Sequence, residues 1–310
     1  MALPRHGHRN HRRTRRCLPR IGRARWAGSR GHRRPALCGL RYLHTRAGAG
    51  CSRADRRHRR RLTPSRGRRG GSGGVAAVCP HVARRCRLGG GCLTWLVLFD
   101  VDGTLLLTHD EIYVEASRFA LEAVYGIYAD GPDVPGDTAS AHIRRALRTV
   151  DVPEEEIDAG LPRWCAAFSG RYVRLLQAAD TSHWQLGPHA VEAAAAVENR
   201  ALLTGNPPAV AHARMERLGL AEFFPRGQGA FGCERENRIE LFDLARQRAG
   251  NWPGARTVAV GDTPLDVSSA HAAGCHSIAV TTGSYGREAL AEADAVIADL
   301  GELAGARAAL

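Results

Sequence analysis

The sequence predicts an α/β protein with a parallel sheet, because short apolar runs alternate with helical patterns along residues 95–310. A short run that is apolar throughout is typical of a strand buried on both faces, as strands of parallel sheets are. Alternation of such strands with helices indicates the α/β class. The predicted strands are WLVLFD (95–100), RALLT (200–204), TVAVGD (257–262), HSIAV (276–280) and ADAVI (293–297).

Two helices are predicted between the later strands. The segment ELFDLARQR (240–248) places Leu241, Leu244 and Ala245 on one face. The segment PLDVSSAHAAG (264–274) ends at a glycine, the residue that most often closes a helix.

A helical insertion follows the first strand. The interval from Asp100 to Thr204 is 104 residues long, whereas a simple crossover needs about 30. Three apolar stripes predict three helices there, and Asp110 is a suitable N-cap for the first. The stripes are Ile112, Ala116, Phe119, Ala120 and Ala123; Ile143, Ala146, Leu147 and Val150; and Trp164, Phe168, Tyr172, Leu175 and Leu176. Inserted at this point, the helices are expected to cover the strand ends as a lid.

The charge of the chain is concentrated in its first third. All 44 basic residues are Arg; residues 1–94 hold 26 of them and a single acid, a formal charge of +25. Residues 95–310 hold 18 Arg and 30 acids, a formal charge of −12. The overall charge of +13 therefore reflects the first third of the chain and not the rest. The acidic later part is not expected to bind nucleic acid as a basic protein does.

Residues 1–94 are rich in Arg and Gly and lack sustained periodicity, so disorder is the expectation. One interpretation is a basic arm that binds nucleic acid through phosphates. The favoured one is translated upstream sequence of a GC-rich gene whose start was placed too early. The nine Cys show no regular spacing, which predicts no disulfide framework. No run of about 18 apolar residues occurs, so a membrane helix is not expected, and a cytoplasmic location is.

Paired carboxylates follow the first strand, in FDVDGTLL (99–106). Alternate residues of an extended chain point the same way, so Asp100 and Asp102 can address one pocket. Gly103 permits a tight turn. Two carboxylates this close repel each other unless a cation such as Mg²⁺ lies between them. Taken alone, such a pair is more typical of an acidic turn or a helix N-cap than of a metal site.

Two further strand ends strengthen the metal hypothesis. The segment TGN (204–206) offers a hydroxyl and backbone N–H groups suited to phosphate oxygens. The segment GDTPLD (261–266) offers Asp262 and Asp266. Asp100, Asp102 and Asp262 together predict an oxygen-rich Mg²⁺ site. Asp266 is expected to act as a helix cap or as an acceptor behind the ligands.

Three motifs, DVDGT, TGN and GDTPLD, carry a resemblance to a known family. From residue 95 to about 300, the chain resembles haloacid dehalogenase-superfamily hydrolases of the phosphoglycolate phosphatase-like type, which have a C1-type helical cap. The resemblance implies a Rossmann-like α/β core of residues 95–107 and 188–310. It implies a helical cap of residues 108–187. The Arg/Gly-rich segment 1–94 precedes both.

The resemblance also implies roles for the motif residues. Asp100 would be the nucleophile that forms an aspartyl-phosphate, and Asp102 the general acid/base. Thr204, Gly205 and Asn206 would bind the phosphoryl group. Asp100, the main-chain carbonyl of Asp102 and Asp262 would hold Mg²⁺, with Asp266 behind them.

The family's third motif usually supplies a Lys, and this chain has none. In the matching segment FGCERENRIELFDLA (231–245), Arg238 stands nearest the expected place and is predicted to bind phosphate; Arg235 is the competitor. Arg binds phosphate bidentately but does not simply replace Lys.

The predicted function is Mg²⁺-dependent hydrolysis of a phosphate monoester of a small metabolite. A phosphomutase or a 2-haloacid dehalogenase on the same fold are alternatives, although a dehalogenase needs neither Asp102 nor Asp262. A nucleic-acid-binding protein is the alternative of another class, and nucleic acid is expected as a partner only if the basic arm is genuine. No membrane partner is expected.

Overall fold

The computed structural model describes residues 94–310. Its centre is a six-stranded sheet in which every neighbouring pair is parallel, in the order β3-β2-β1-β4-β5-β6. The strands are β1 Leu96–Phe99, β2 Asn199–Thr204, β3 Ala230–Phe231, β4 Thr257–Gly261, β5 His276–Val280 and β6 Ala295–Ile297. The predicted parallel α/β fold is confirmed.

Eight α-helices are present in this part of the chain. They are α1 Glu111–Tyr125, α2 Ala139–Arg148, α3 Glu154–Ala178, α4 Ala190–Ala196, α5 Pro208–Leu218, α6 Arg238–Arg248, α7 Pro264–Ala272 and α8 Leu303–Ala308. All five predicted strands are present. The sequence did not predict β3, because a strand of two residues leaves no apolar run to detect.

The sheet register brings three strand ends together. The central strand β1 lies between β2 and β4, and Phe99 pairs with Leu202 on one side and Val260 on the other. Because all three strands run in the same direction, the residues that follow them meet at one edge of the sheet. Ligands of open α/β sheets bind at this edge.

The two faces of the sheet bury different side chains of β1. Val97 and Phe99 belong to one apolar cluster, and Leu96 and Leu98 belong to another on the opposite face. Successive residues of a strand point to opposite faces, so both sets are buried only when helices cover both sides. This explains why the strand is apolar at every position.

Helices α1, α2 and α3 form a third apolar cluster, whose members include Ile143, Trp164 and Phe168. Helix α1 begins as expected, with the Asp110 carboxylate accepting a hydrogen bond from the Ile112 amide at 3.0 Å.

Three residues of the predicted apolar stripes are exposed, and those assignments were wrong. The Phe119 side chain lies at the surface with the Arg171 guanidinium 5.2 Å from its ring, and Ala123 also faces outward. Val150 is exposed because α2 ends before it, at Arg148. An apolar stripe in the sequence shows which face of a helix is apolar. How much of that face is buried depends on the neighbouring elements that pack against it.

A disulfide joins Cys165 of α3 to Cys233, which follows β3, with Cα atoms 6.1 Å apart. The prediction of no disulfide framework was therefore wrong for this pair: 68 residues separate the two cysteines, so only the tertiary fold brings them together. Cys275 is a buried free thiol.

The expectation for residues 1–94 lies outside the described residues, apart from Thr94 at their boundary. Within residues 94–310, no helix has both the length and the apolar composition needed to cross a membrane.

Candidate active site

Asp100 lies directly after β1, with its side chain almost completely buried. Its backbone amide donates to the Val260 carbonyl at 2.9 Å, which extends the pairing with β4 by one residue. One carboxylate oxygen, Oδ1, accepts a hydrogen bond of 3.2 Å from the Arg238 guanidinium. Burial and the neighbouring carboxylate of Asp266 raise the pKa of Asp100, and Arg238 opposes this shift.

Asp262 follows β4 and lies between two glycines. A side chain at Gly103 or at Gly283 would overlap the Asp262 carboxylate, and Gly103 also has a positive φ of 75°. The Oδ1 atom of Asp262 is buried and has no hydrogen-bond partner among residues 94–310. Burial, followed by the charge of Asp266, raises the pKa of Asp262 to about 7.

Asp266 differs from Asp262 because both of its carboxylate oxygens are used. Its Oδ2 accepts from the Thr263 amide at 3.0 Å and from the Thr263 hydroxyl at 2.6 Å, forming a capping box at the start of α7. Its Oδ1 accepts from Arg238. The buried carboxylate therefore supports the helix and the guanidinium.

Arg238 is the first residue of α6, and its side chain is buried. Besides Asp100 and Asp266, its guanidinium donates to the carbonyl of Gly136, which precedes α2. Arg235, by contrast, has half of its side chain exposed and pairs loosely with Glu240, at 3.8 Å. Of the two arginines that the sequence left open, Arg238 is the one beside Asp100.

Thr204 and Asn206 form a compact turn at the end of β2. The Thr204 hydroxyl accepts from the Asn206 amide side chain at 2.9 Å. Gly205 lies where the chain before α2 crosses the sheet edge: its carbonyl accepts from the Ala139 amide at 2.8 Å, and a Cβ there would overlap the Asp137 carbonyl. The turn thus contacts the helical insertion directly.

Asp102 stands apart from the buried carboxylates. Oxygens of Asp100, Asp262 and Asp266 lie within 4.8 Å of one another, and Asp102 contributes none to this group. About half of its side chain is exposed, and its Oδ2 accepts from the Asn206 side chain at 2.6 Å. The carboxylate therefore faces solvent at the rim of the site.

A sequence model of haloacid dehalogenase-like hydrolases matches residues 96–274, more than half of the chain. The chain belongs to the haloacid dehalogenase-like hydrolase family. Its membership accounts for the strand order and for the position of the acidic residues after β1 and β4.

Solved structures support the family fold. CbbY from Rhodobacter sphaeroides in complex with phosphate is 21% identical, and the match covers 68% of this chain and 96% of that one with a TM-score of 0.50. A predicted phosphatase from Clostridium acetobutylicum is 17% identical over 70% of this chain and 100% of that one, with a TM-score of 0.51. At these identities the similarity establishes the fold alone. No curated protein matches the sequence.

Members of this family are expected to hold Mg²⁺, and the buried residues fit such an ion. Asp100, Asp262 and Asp266 are three carboxylates against the single guanidinium of Arg238, which leaves an excess of negative charge in a buried site. The unpartnered Oδ1 of Asp262 is an available hard oxygen ligand. A divalent cation would reverse the raised pKa values of Asp100 and Asp262, because it stabilises their ionised forms.

The sequence did not predict one residue of this hydrolase site, Arg214 of α5. Its side chain is 2% exposed and bonds both Asp102 and Asp110. A signal was present, because Arg214 lies on the same helix face as buried Val210 and Ala211. A charged residue within an apolar stripe indicates a buried partner of opposite charge.

Proposed function

We propose that this hydrolase cleaves phosphate monoesters of small metabolites, using Mg²⁺ and an aspartyl-phosphate intermediate. The observation that supports this most directly is the position of Asp100. Its carboxylate is buried at the end of the central strand, bonded on one oxygen by Arg238, and grouped with the available oxygen of Asp262.

In the first proposed step, a carboxylate oxygen of Asp100 forms a bond to phosphorus while the bond from phosphorus to the ester oxygen breaks. Asp102, whose side chain faces solvent, donates a proton to the departing oxygen. In the second step, Asp102 takes a proton from water, which attacks phosphorus and frees Asp100 together with inorganic phosphate.

Arg238 is proposed to orient Asp100 and to stabilise negative charge on the phosphoryl group. The Thr204 hydroxyl and the backbone of Gly205 and Asn206 are proposed to contact phosphate oxygens at the neighbouring strand end.

The residues proposed to hold Mg²⁺ are Asp100, the main-chain carbonyl of Asp102, and Asp262. When bound, the ion would offset the repulsion between carboxylate and phosphate dianion. Asp266 would support Arg238 without contacting the ion, which agrees with the occupation of both its oxygens.

Residues 108–187 are proposed to act as the cap over this site, with 95–107 and 188–310 as the core. The proposal is supported by the separate apolar cluster of α1, α2 and α3. It is also supported by the contacts that Gly136 and Ala139 make with Arg238 and Gly205. A cap excludes bulk water and selects among substrates.

The test is release of inorganic phosphate from a panel of phosphorylated metabolites. Asp100→Asn removes the anionic nucleophile and nearly keeps its shape, so turnover is expected to fall by ~10³-fold or more. Asp243→Asn is the matched control, because this carboxylate lies on α6 with 70% of its side chain exposed.

Substantial turnover by Asp100→Asn would contradict the covalent mechanism. Phosphorus NMR of the products separates hydrolysis from transfer, because a mutase returns the phosphoryl group to a sugar hydroxyl. Release of halide from 2-chloropropionate without phosphatase activity would assign the dehalogenase reaction instead.

A further inference from the structure

The side chain of Arg214 is buried, although it carries a positive charge and its own helix supplies no partner of opposite charge for it. It lies on α5, on the face that also buries Val210 and Met215. A buried guanidinium is stable only when several acceptors surround it. All three guanidinium nitrogens of Arg214 donate to such acceptors, which come from distant parts of the chain.

On one side, Arg214 holds the carboxylate of Asp102. Its Nη1 donates to Oδ1 at 2.8 Å and to Oδ2 at 3.0 Å. The same nitrogen donates to the Asn206 side-chain oxygen at 3.1 Å, and Asn206 in turn donates to Asp102 Oδ2 at 2.6 Å. Both carboxylate oxygens are thus restrained from the protein side, while about half of the side chain faces outward.

On the other side, Arg214 bonds two residues of the helical insertion. Its Nη2 and Nε donate to Asp110 Oδ2 at 2.8 and 3.2 Å, and its Nε donates to the Tyr172 hydroxyl at 3.0 Å. Asp110 caps α1, and Tyr172 lies within α3. These partners are nearly buried and bonded to each other, so they form a rigid anchor for the guanidinium.

We infer that Arg214 is a positioning residue for the proton transfers of Asp102. The inference rests on the proposed function, in which Asp102 protonates the departing oxygen. A carboxylate whose two oxygens both accept from Nη1 of an anchored guanidinium keeps one orientation. General acid catalysis needs the donor within hydrogen-bond reach of the oxygen that it protonates. Without Arg214, the Asp102 carboxylate would retain, among residues 94–310, only the hydrogen bond from the Asn206 side chain.

A purely structural role for Arg214 gives a different expectation. If Arg214 only stabilised the fold, its replacement would lower the amount of folded enzyme, and activity on every ester would fall in the same proportion. If it positions Asp102, the loss depends on how much the leaving group needs a proton. An alkyl alcohol needs protonation as it departs, whereas p-nitrophenolate departs readily without it.

The experiment measures kcat/KM of Arg214→Met and Arg214→Lys on an alkyl phosphate hydrolysed by the wild type and on p-nitrophenyl phosphate. This constant reports the step in which the ester bond breaks. We expect Arg214→Met to lower the ratio of alkyl to aryl kcat/KM by ~10²-fold, the scale of general acid catalysis. Arg214→Lys keeps the charge but not the planar fork, so its ratio should lie between that of Arg214→Met and the wild type.

Arg217→Gln is the matched control. Arg217 lies on the same helix, and its guanidinium donates to the Leu176 carbonyl of α3 and not to Asp102. Its ratio should equal that of the wild type.

The ratio does not depend on the folded fraction, because one folded population hydrolyses both esters; a destabilised variant therefore still gives an answer. If Arg214→Met yields no folded enzyme, Arg214→Lys decides. Equal losses on both esters in the Arg214 variants would overturn the inference while leaving the proposed function intact. A wild-type protein that releases phosphate from no alkyl phosphate of the metabolite panel, and from p-nitrophenyl phosphate neither, would instead contradict the proposed function.

Discussion

Replacing Asp262 by Asn is expected to stabilise the metal-free protein while removing its activity. The carboxylate is 5% exposed and lies beside Asp266, and together burial and this neighbour raise its pKa from 3.8 to about 7. Because one pKa unit corresponds to about 1.4 kcal/mol, the ionised form destabilises the metal-free fold by about 4 kcal/mol. The neutral amide of Asn avoids this penalty.

The sign of the effect follows from proton binding. Between pH 3.8 and about 7, the folded protein keeps a proton on Asp262 that the unfolded chain has released, so stability falls as pH rises through this range. Above pH 7 the penalty is complete. The stability gain of Asp262→Asn is therefore expected to be about 4 kcal/mol at pH 8 and about 2 kcal/mol at pH 5.

Urea unfolding in the presence of EDTA measures these differences. Asp243→Asn is the control, since an exposed carboxylate with one surface ion pair should change stability by less than about 1 kcal/mol. Added Mg²⁺ should stabilise the wild type but not Asp262→Asn, because binding to the folded state alone shifts the equilibrium. A wild type at least as stable as the variant at pH 8, or a gain that is the same at pH 5, would refute the reasoning.

Three further predictions concern the same protein. Arg238→Ala should lower kcat/KM by the equivalent of ~2 kcal/mol or more, and exposed Arg235→Ala should change it little; the reverse order in kinetic assays would reassign the motif. EDTA should abolish phosphate release and Mg²⁺ restore it, so activity that persists in EDTA would exclude the proposed metal dependence. Joint replacement of Cys165 and Cys233 by Ala should lower unfolding free energy by about 4 kcal/mol, from the 68-residue separation, relative to a Cys275→Ala control. Coincident urea transitions for the double variant and the wild type would contradict a stabilising cross-link.

The sequence predicted the strand ends well because their signals are local. The run before Asp100 is apolar at every position, and Val258, Ala259 and Val260 before Asp262 are apolar too, as burial on both faces requires. Asp110 was also predictable as a cap, since its role depends on the next two residues. The roles assigned to these residues in catalysis stay predictions.

Periodicity was less informative about what covers each helix. Phe119 fits the apolar stripe of α1 but lies at the surface beneath Arg171, and Val150 continues a stripe after its helix has ended. Spacing reports a shared face, whereas burial needs a neighbouring element of the right shape.

By itself, then, the sequence determined the parallel α/β fold and the edge at which its acidic residues gather, since both follow from patterns within a few residues. Only the tertiary structure decided which arginines form hydrogen bonds with those acidic side chains. Arg238 reaches Asp100 across 138 residues of chain, and Arg214 reaches Asp102 across 112. A guanidinium at the end of a long side chain binds the partners that the packing of distant elements places near it. The packing of distant elements also brings Cys165 and Cys233 together to form their disulfide. Such contacts depend on how whole elements pack, which no local pattern encodes.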